Sequence, residues 1–375
     1  MGCNNHQSRY CNYQECHPKK KSNCIQCTSI VYSMTNAAES NEVIAFCHGI
    51  YGKLMQMQAY PTGGSGTGEA VVDPLVSQYS LVLSPHNRFL FAVNAGSNSI
   101  SSFRVHNSGT LDLADVEPSG GIRPNSISIF GDLLYVSNAG NESNNFVSNI
   151  SGFRVGRDGQ LTRIGGATYS LSTASAQPSS IIFSPNGSKL VVSELDTNRI
   201  SVFGVNKDGT LTGPTVNDSS GEGPFGSFFL SSGILLVSEA GPNALSSYTV
   251  NADGTLRVIS GSVLNGQLAT CWVVASRDEQ FAYTSNAGGS GTITTYRIEK
   301  NGALSVVDNV ISTKMGMGGP LDSGVSKDRN NFHVLNGNQG SISVFCIARS
   351  GQLKLLQVLR ATKLPIIGAQ GLAVL

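Results

Sequence analysis

Residues 281–304 read FAYTSNAGGSGTITTYRIEKNGAL, and residues 91–111 read FAVNAGSNSISSFRVHNSGTL. Each runs from an apolar stretch through Asn-Ala-Gly to a second apolar stretch ending in Tyr or Phe, then through a glycine turn to leucine. Short runs of alternating polarity bounded by Gly, Asn and Ser are the pattern of half-buried β-strands. The turn glycine recurs as Gly52, Gly109, Gly159, Gly209, Gly254, Gly302 and Gly351, at spacings of 57, 50, 50, 45, 48 and 49 residues.

Working outward from one unit, strand A is Ser80–Ser84, strand B Phe89–Asn94, strand C Ser99–Val105 and strand D Leu111–Val116. Seven units of four strands at a period near 50 residues predict an all-β fold, a seven-bladed β-propeller. The C–D hairpins carry Asp158-Gly159, Asp208-Gly209, Asp253-Gly254 and Asn301-Gly302, pairs that are expected to supply the positive φ angles of tight hairpins. Six strands A are legible before the seventh unit ends, while the first unit opens at strand B, Ile30–Met34. The missing strand A is expected to be Gly371–Leu375, so that the two ends of the sequence close the first blade and remove two open sheet edges. The propeller then spans 29–375, behind a cysteine-rich tail at 1–28.

Composition narrows the function classes. The chain of 375 residues carries 43 glycines, 13% charged residues and a formal net charge of +1, against about 25% charged in average usage. So little positive charge excludes a general nucleic-acid binder, which must neutralise phosphates. No apolar run approaches the roughly 18 residues of a membrane span, no signal peptide is evident, and the sequence assigns no compartment. Gly63–Gly68 (GGSGTG) has no following Gly-Lys-Thr and no helix after it, so it reads as a connection rather than a phosphate loop.

Ser84-Pro85, Ser184-Pro185-Asn186-Gly187, the Asn-Ala-Gly loops and the Asp-Gly-Thr-Leu turns together resemble the seven-bladed lactonase-type propellers, which include propeller 6-phosphogluconolactonases and carboxy-muconate cyclases. The resemblance spans about residues 29–375 and implies a site on the face where B–C and D–A loops surround the channel mouth. The B–C position there reads Asn36, Asn94, Asn138, Glu194, Glu239, Asn286 and Asn336, and the D–A loops add Gln78, Arg123, Gln177, Phe225, Cys271, Trp272 and Asp322. Against the family's Asp-Leu-Gly with a following Arg, this chain has Glu194-Leu195-Asp196 and Arg199; against its Gly-Pro-Arg-His it has Gly223-Pro224-Phe225-Gly226. The acid Glu239 stands where the family has Asn-Glu, but the motif histidines and arginines are gone. Lactone chemistry needs a proton shuttle and positive charge for an anionic substrate and oxyanion.

Two readings follow. The first is a lactonase-like propeller that lacks most family catalytic residues and binds a small molecule or a protein at its mouth, with Glu194, Arg199, Arg123, Gln78, Trp272 and Asp322 as ligand-contacting residues. The second is an active lactone hydrolase or cyclase with Glu239 as base. Glu194 and Glu239 either accept hydrogen bonds from neighbouring loops or serve a ligand, Ca²⁺ among the candidates because it prefers oxygen donors. Trp272 is either core or a stacking platform. In the tail, Cys16, Cys24 and Cys27 offer a zinc site; a disulfide-linked tail that joins molecules into an oligomer, or one with no folded role, fits the same cysteines. Cys47 and Cys346 share a strand C position in the first and last blades. Stacked sheets lie about 10 Å apart and a disulfide needs Cα atoms within about 7 Å, so both are expected to stay unpaired.

Overall fold

The computed structural model describes residues 27–49 and 53–375. They form seven four-stranded antiparallel sheets, the blades of one propeller, with a single 3-10 turn at Glu142–Asn144. Blade 2 shows how closely the repeat was legible: its strands are Leu81–Leu83, Phe89–Asn94, Ser99–Val105 and Leu111–Pro118. Polarity alternates less than half-buried strands should. Strand B of blades 2, 3 and 6 is buried along its whole length, whereas strands D alternate between half-buried and exposed. A blade has neighbours on both faces, so only its outermost strand meets water. Among the described residues no helix is long and apolar enough to cross a membrane.

Blade 1 is completed from both ends of the sequence. Gln370–Val374 lies antiparallel to Cys27–Met34, pairing Val31 with Val374, Tyr32 with Ala373 and Ser33 with Leu372. Leu375 N donates to Ile30 O at 2.8 Å, and Ser33 Oγ to Gly371 O at 2.8 Å. Adjacent blades interlock through a recurring tyrosine on strand B. Tyr32, Tyr135 and Tyr283 donate to the carbonyls of Gly109, Gly209 and Gly351, the C–D turn glycines of the next blade, at 2.8, 2.8 and 3.1 Å. Those glycines have φ between 79° and 89°.

The turns correct one expectation. Only the glycine takes a positive φ; the preceding Asp or Asn does not. Asn206 N bonds Thr210 O and Gly209 N bonds Asn206 O, a longer loop in which a left-handed glycine follows an ordinary turn. The aspartate instead acts through its side chain: Asp208 and Asp253 accept the backbone N–H and hydroxyl of Thr210 and Thr255.

Cysteine pairing corrects another. Cys27 and Cys47 form a disulfide with Cα atoms 5.3 Å apart, across neighbouring strands B and C of blade 1. Cys346 is disulfide-bonded as well. The spacing argument correctly separates two different blades, but it overlooked a partner one strand away within the same sheet. Cys27 is therefore not a zinc ligand. Cys16 and Cys24, with the rest of the cysteine-rich tail before Cys27, lie outside the described residues.

His48 lies on strand C of blade 1 and meets His333 of blade 7 edge to face at 5.5 Å. His333 occupies the strand position that holds Tyr32, Tyr135 and Tyr283 elsewhere, is fully buried, and has no hydrogen bond on either ring nitrogen. Burial, then the His48 ring, pushes its pKa down to about 3, while Asp328 and the Gly324 carbonyl pull weakly upward.

Two outcomes are expected. Burial of Leu372 contributes about 1.5–3 kcal/mol, with a smaller share from half-buried Val374, against a total of about 5–15 kcal/mol for a typical domain. Deleting Gly371–Leu375 should therefore abolish the cooperative thermal transition; a truncated chain melting at the parent temperature contradicts ring closure. His333 binds its proton only near pH 3 in the folded state but at 6.5 when unfolded. The His333 contribution to stability should thus shrink, by up to about 1.4 kcal/mol per pH unit, as pH drops from 6.5 toward 3, so in denaturant titrations the parent should lose stability relative to His333→Phe by that slope.

Candidate functional site

The channel mouth is occupied by the chain itself. The connection between Leu54–Pro61 of blade 1 and Leu81–Leu83 of blade 2 does not stay on the rim but crosses the axis at Ser77, Gln78 and Tyr79. Ser77 Oγ donates to Asn125 O at 2.7 Å in blade 3, and Ser77 O accepts from Trp272 Nε1 at 3.0 Å in blade 6. Gln78 N donates to Ser179 O of blade 4, its carbonyl accepts from Ser126 Oγ of blade 3, and its amide group pairs with the backbone of Val273 in blade 6, giving Nε2 to the carbonyl at 2.8 Å and taking the N–H at 3.1 Å. Tyr79 N bonds Asp322 Oδ1 of blade 7 and Tyr79 Oη donates to Ser227 O of blade 5 at 2.7 Å. Five blades are thereby tied to one tripeptide. The path demands unusual backbone, with Val76 and Tyr79 at φ 50° and 69°, and it demands Gly226, where a Cβ would come within 2.1 Å of Gln78 Oε1.

Gln78, Trp272 and Asp322 are thus brought together at the axis, but as the lining of this plug. Trp272 is buried and meets Phe225 edge to face at 5.1 Å, which is core packing. Arg123 holds the plug from outside, donating to Pro74 O at 2.7 Å and pairing with Glu69 at 3.0 Å.

Beside the plug lie two acids and an amide, of which sequence reasoning picked out only Asp322. Asp322 is 3% exposed. Its Oδ1 accepts from Tyr79 N and the group also accepts from Gly371 N, yet burial still raises its pKa to about 7. Asp73 accepts from the backbone N–H groups of Val76 and Ser77 and from the Gln370 side chain; burial first, and the Asp322 charge second, raise it to about 8. Burial and Asp73 likewise push up the Cys271 thiol. The signal for Asp73 was an acid directly before proline, one of two acids in a Gly-, Ser- and Val-rich connection.

Glu194 and Glu239 sit inside their own blades and share no partner. Both are fully buried. Glu194 accepts from Ser172 N at 3.1 Å, Ser172 Oγ, Thr197 Oγ1 at 2.9 Å and Ser201 Oγ. Glu239 accepts from Gly221 N at 3.0 Å, Ser262 Oγ at 2.6 Å and Ser246 Oγ. In other blades the residue at that place is Asn94, Asn286 or Asn336, whose amide donates to Ser101, Thr294 or Ser343. Those hydroxyls then donate outward, to Thr62 O, Asn309 Oδ1 and Ser312 O. In blades 4 and 5 the serine is turned inward to the acid, and in blade 5 the outward partner becomes a donor, Ser262 N to Ser246 Oγ at 2.7 Å. In blade 1 the matching residue is Thr35, three after Tyr32, as Asn138 is three after Tyr135; Asn36 lies one position beyond and its side chain bonds Thr67. Arg199 is a half-exposed surface residue paired with Asp218 at 3.1 Å. Among the described residues no three His, Cys, Asp or Glu side chains cluster as metal ligands.

A cleft remains open on this face, away from the axis. About 550 Å³ in volume, it lies between the B–C loop of blade 1 and the loop leading into the closing strand, lined by Ala37, Glu39, Glu42, Glu69, Lys363 and Ile367 among others.

The family described as Lactonase, 7-bladed beta-propeller matches residues 28–165 and 237–365, more than half of the chain. The chain belongs to this family. The unmatched stretch, 166–236, contains Gln177, Glu194, Arg199 and Gly223-Pro224-Phe225. Among solved structures, a putative 6-phosphogluconolactonase from Bacteroides fragilis is similar at 18% identity and a TM-score of 0.72, over 93% of this chain and 98% of that one. The periplasmic gluconolactonase of Pseudomonas aeruginosa is similar at 19% identity and a TM-score of 0.70, over 92% and 98%. At such identities the likeness is one of fold. No curated protein matches the chain.

Gln78→Ala should cost about 2–5 kcal/mol, because it strands a buried N–H and carbonyl of Val273 at once. Urea titration checks this; a loss under 1 kcal/mol would mean that the tripeptide does not hold the axis.

Proposed function

We propose that this lactonase-family propeller is a binding module rather than a lactone hydrolase, and that its partner, a small molecule or a protein segment, meets the mouth face at the cleft beside the closing strand. The observation that carries this reading is Gln78, hydrogen-bonded to blades 3, 4 and 6 across the axis where a lactone would need to enter. The chemistry of the neighbouring groups supports it. Glu239 receives only hydroxyl and amide donors, and among the described residues no histidine bonds to it to relay a proton. His48 and His333 are buried at the junction of blades 7 and 1, His106 pairs with Asp112 beside the blade 2 C–D turn, and His86 lies in an A–B turn on the opposite face. Arg123 and Arg199 are each paired with an acid, so neither is left to hold an anionic substrate or an oxyanion beside Glu239.

The competing reading keeps Glu239 as a general base. A panel of sugar and aromatic-acid lactones, with 6-phosphoglucono-δ-lactone among them, separates the two. The binding module hydrolyses none above the uncatalysed rate, and Glu239→Gln changes only stability. Turnover by the parent chain that disappears in Glu239→Gln establishes the hydrolase instead.

A further inference from the structure

The plug and the closing strand together leave acceptor oxygens with nothing to accept. Asp322 Oδ2 and Gln370 Oε1 are buried, at 3% and 0% exposure of their residues, and neither has a hydrogen-bond partner. Ser80 Oγ, fully buried one residue after the plug, is also unpartnered. The three belong to one locality. Asp322 accepts from Gly371 N, the residue after Gln370, and from Tyr79 N, the residue before Ser80. A Cβ at Gly371 would stand 2.8 Å from Ser80 Oγ, so only glycine leaves that space open. Asp73 adds a second carboxylate, close enough to feel the Asp322 charge and to accept from the Gln370 amide nitrogen, whose Oε1 is left free beside it. Leaving a carboxylate oxygen and an amide oxygen buried without donors costs free energy at each.

We infer that Asp73, Asp322 and Gln370 form a cation site at the propeller axis, and that its ligand is Ca²⁺. The donors are all oxygen, which excludes the softer metals that favour nitrogen and sulfur. They also come from three separate segments: the crossing connection, strand A of blade 7 and the closing strand. Such a set adapts to the variable coordination of Ca²⁺ better than to the strict octahedron of Mg²⁺, and water or backbone carbonyls complete the shell. Asp73 is a half-buried residue two positions from exposed Val71, so a short path along the connection joins the site to solvent. Because the closing strand contributes one donor, the bound ion ties the end of the chain to the plug, and Ca²⁺ should stabilise the closed ring by mass action.

The test uses the full chain stripped of metal with a chelator. Trp272, the only tryptophan, donates to Ser77 O next to the site and serves as antenna for Tb³⁺ luminescence. Tb³⁺ should bind with sensitised emission, Ca²⁺ should displace it at roughly 10⁻⁵–10⁻³ M, and Ca²⁺ but not Mg²⁺ should raise the melting temperature. Asp322→Asn and Asp73→Asn should each weaken Ca²⁺ at least about tenfold. Absence of sensitised emission and of a Ca²⁺-dependent melting shift in the parent chain overturns the proposal, as does unchanged affinity in both variants. If the asparagine variants do not fold, Gln370→Glu decides: a third carboxylate should tighten Ca²⁺, and unchanged affinity overturns the site. None of these readouts depends on lactone turnover, so the cation site and the binding-module reading stand or fall separately.

Discussion

The pairing of Gln370–Val374 with Cys27–Met34 is the contact on which the remainder of the molecule depends. A ring of blades has no free edge only if its first and last strands meet, and here one short strand of five residues performs that closure. Each blade packs its two broad faces against neighbours, so a gap at one junction would expose apolar surface on two sheets at once. The same junction carries the Cys27–Cys47 disulfide and the His48–His333 contact. A covalent staple therefore sits beside two buried imidazoles, where a propeller assembled from a linear chain is weakest.

The residue that ends strand B illustrates how a repeat tolerates a change of charge. An asparagine there donates to a hydroxyl on strand C, and an acid reverses the direction of that bond. Serine and threonine accept either role because the hydroxyl proton rotates, and the group beyond the hydroxyl changes from an acceptor such as Thr62 O to a donor such as Ser262 N. Glu194 and Glu239 are satisfied by this reversal, each within its own blade. Two acids on neighbouring blades thus occupy the places that amides hold in others.

The family's fold is retained while its mouth is filled. Gln78 reaches the far side of the channel because Gly226 leaves space for its amide, and Arg123 secures the crossing chain through Pro74 O. Of the residues expected at the channel mouth, Gln78 is itself part of the plug and Trp272 and Asp322 grip it, while a cleft stays open beside the closing strand.

Blade number, strand order, turn positions and ring closure were readable in the linear chain because each is local: hairpin periodicity, a glycine at a fixed offset, an unmatched strand at each end. Phe89–Asn94 and Ser99–Val105 were legible to the residue. The Cys27–Cys47 bond, the one-residue shift at Thr35, and the meeting of Asp73, Asp322 and Gln370 were not. The last three residues are separated by up to 297 positions, and no periodicity relates them. Their neighbourhood follows from where an irregular connection runs once seven blades surround it, and left-handed backbone at Val76 and Tyr79 is a choice that the packed ring, not the local sequence, enforces.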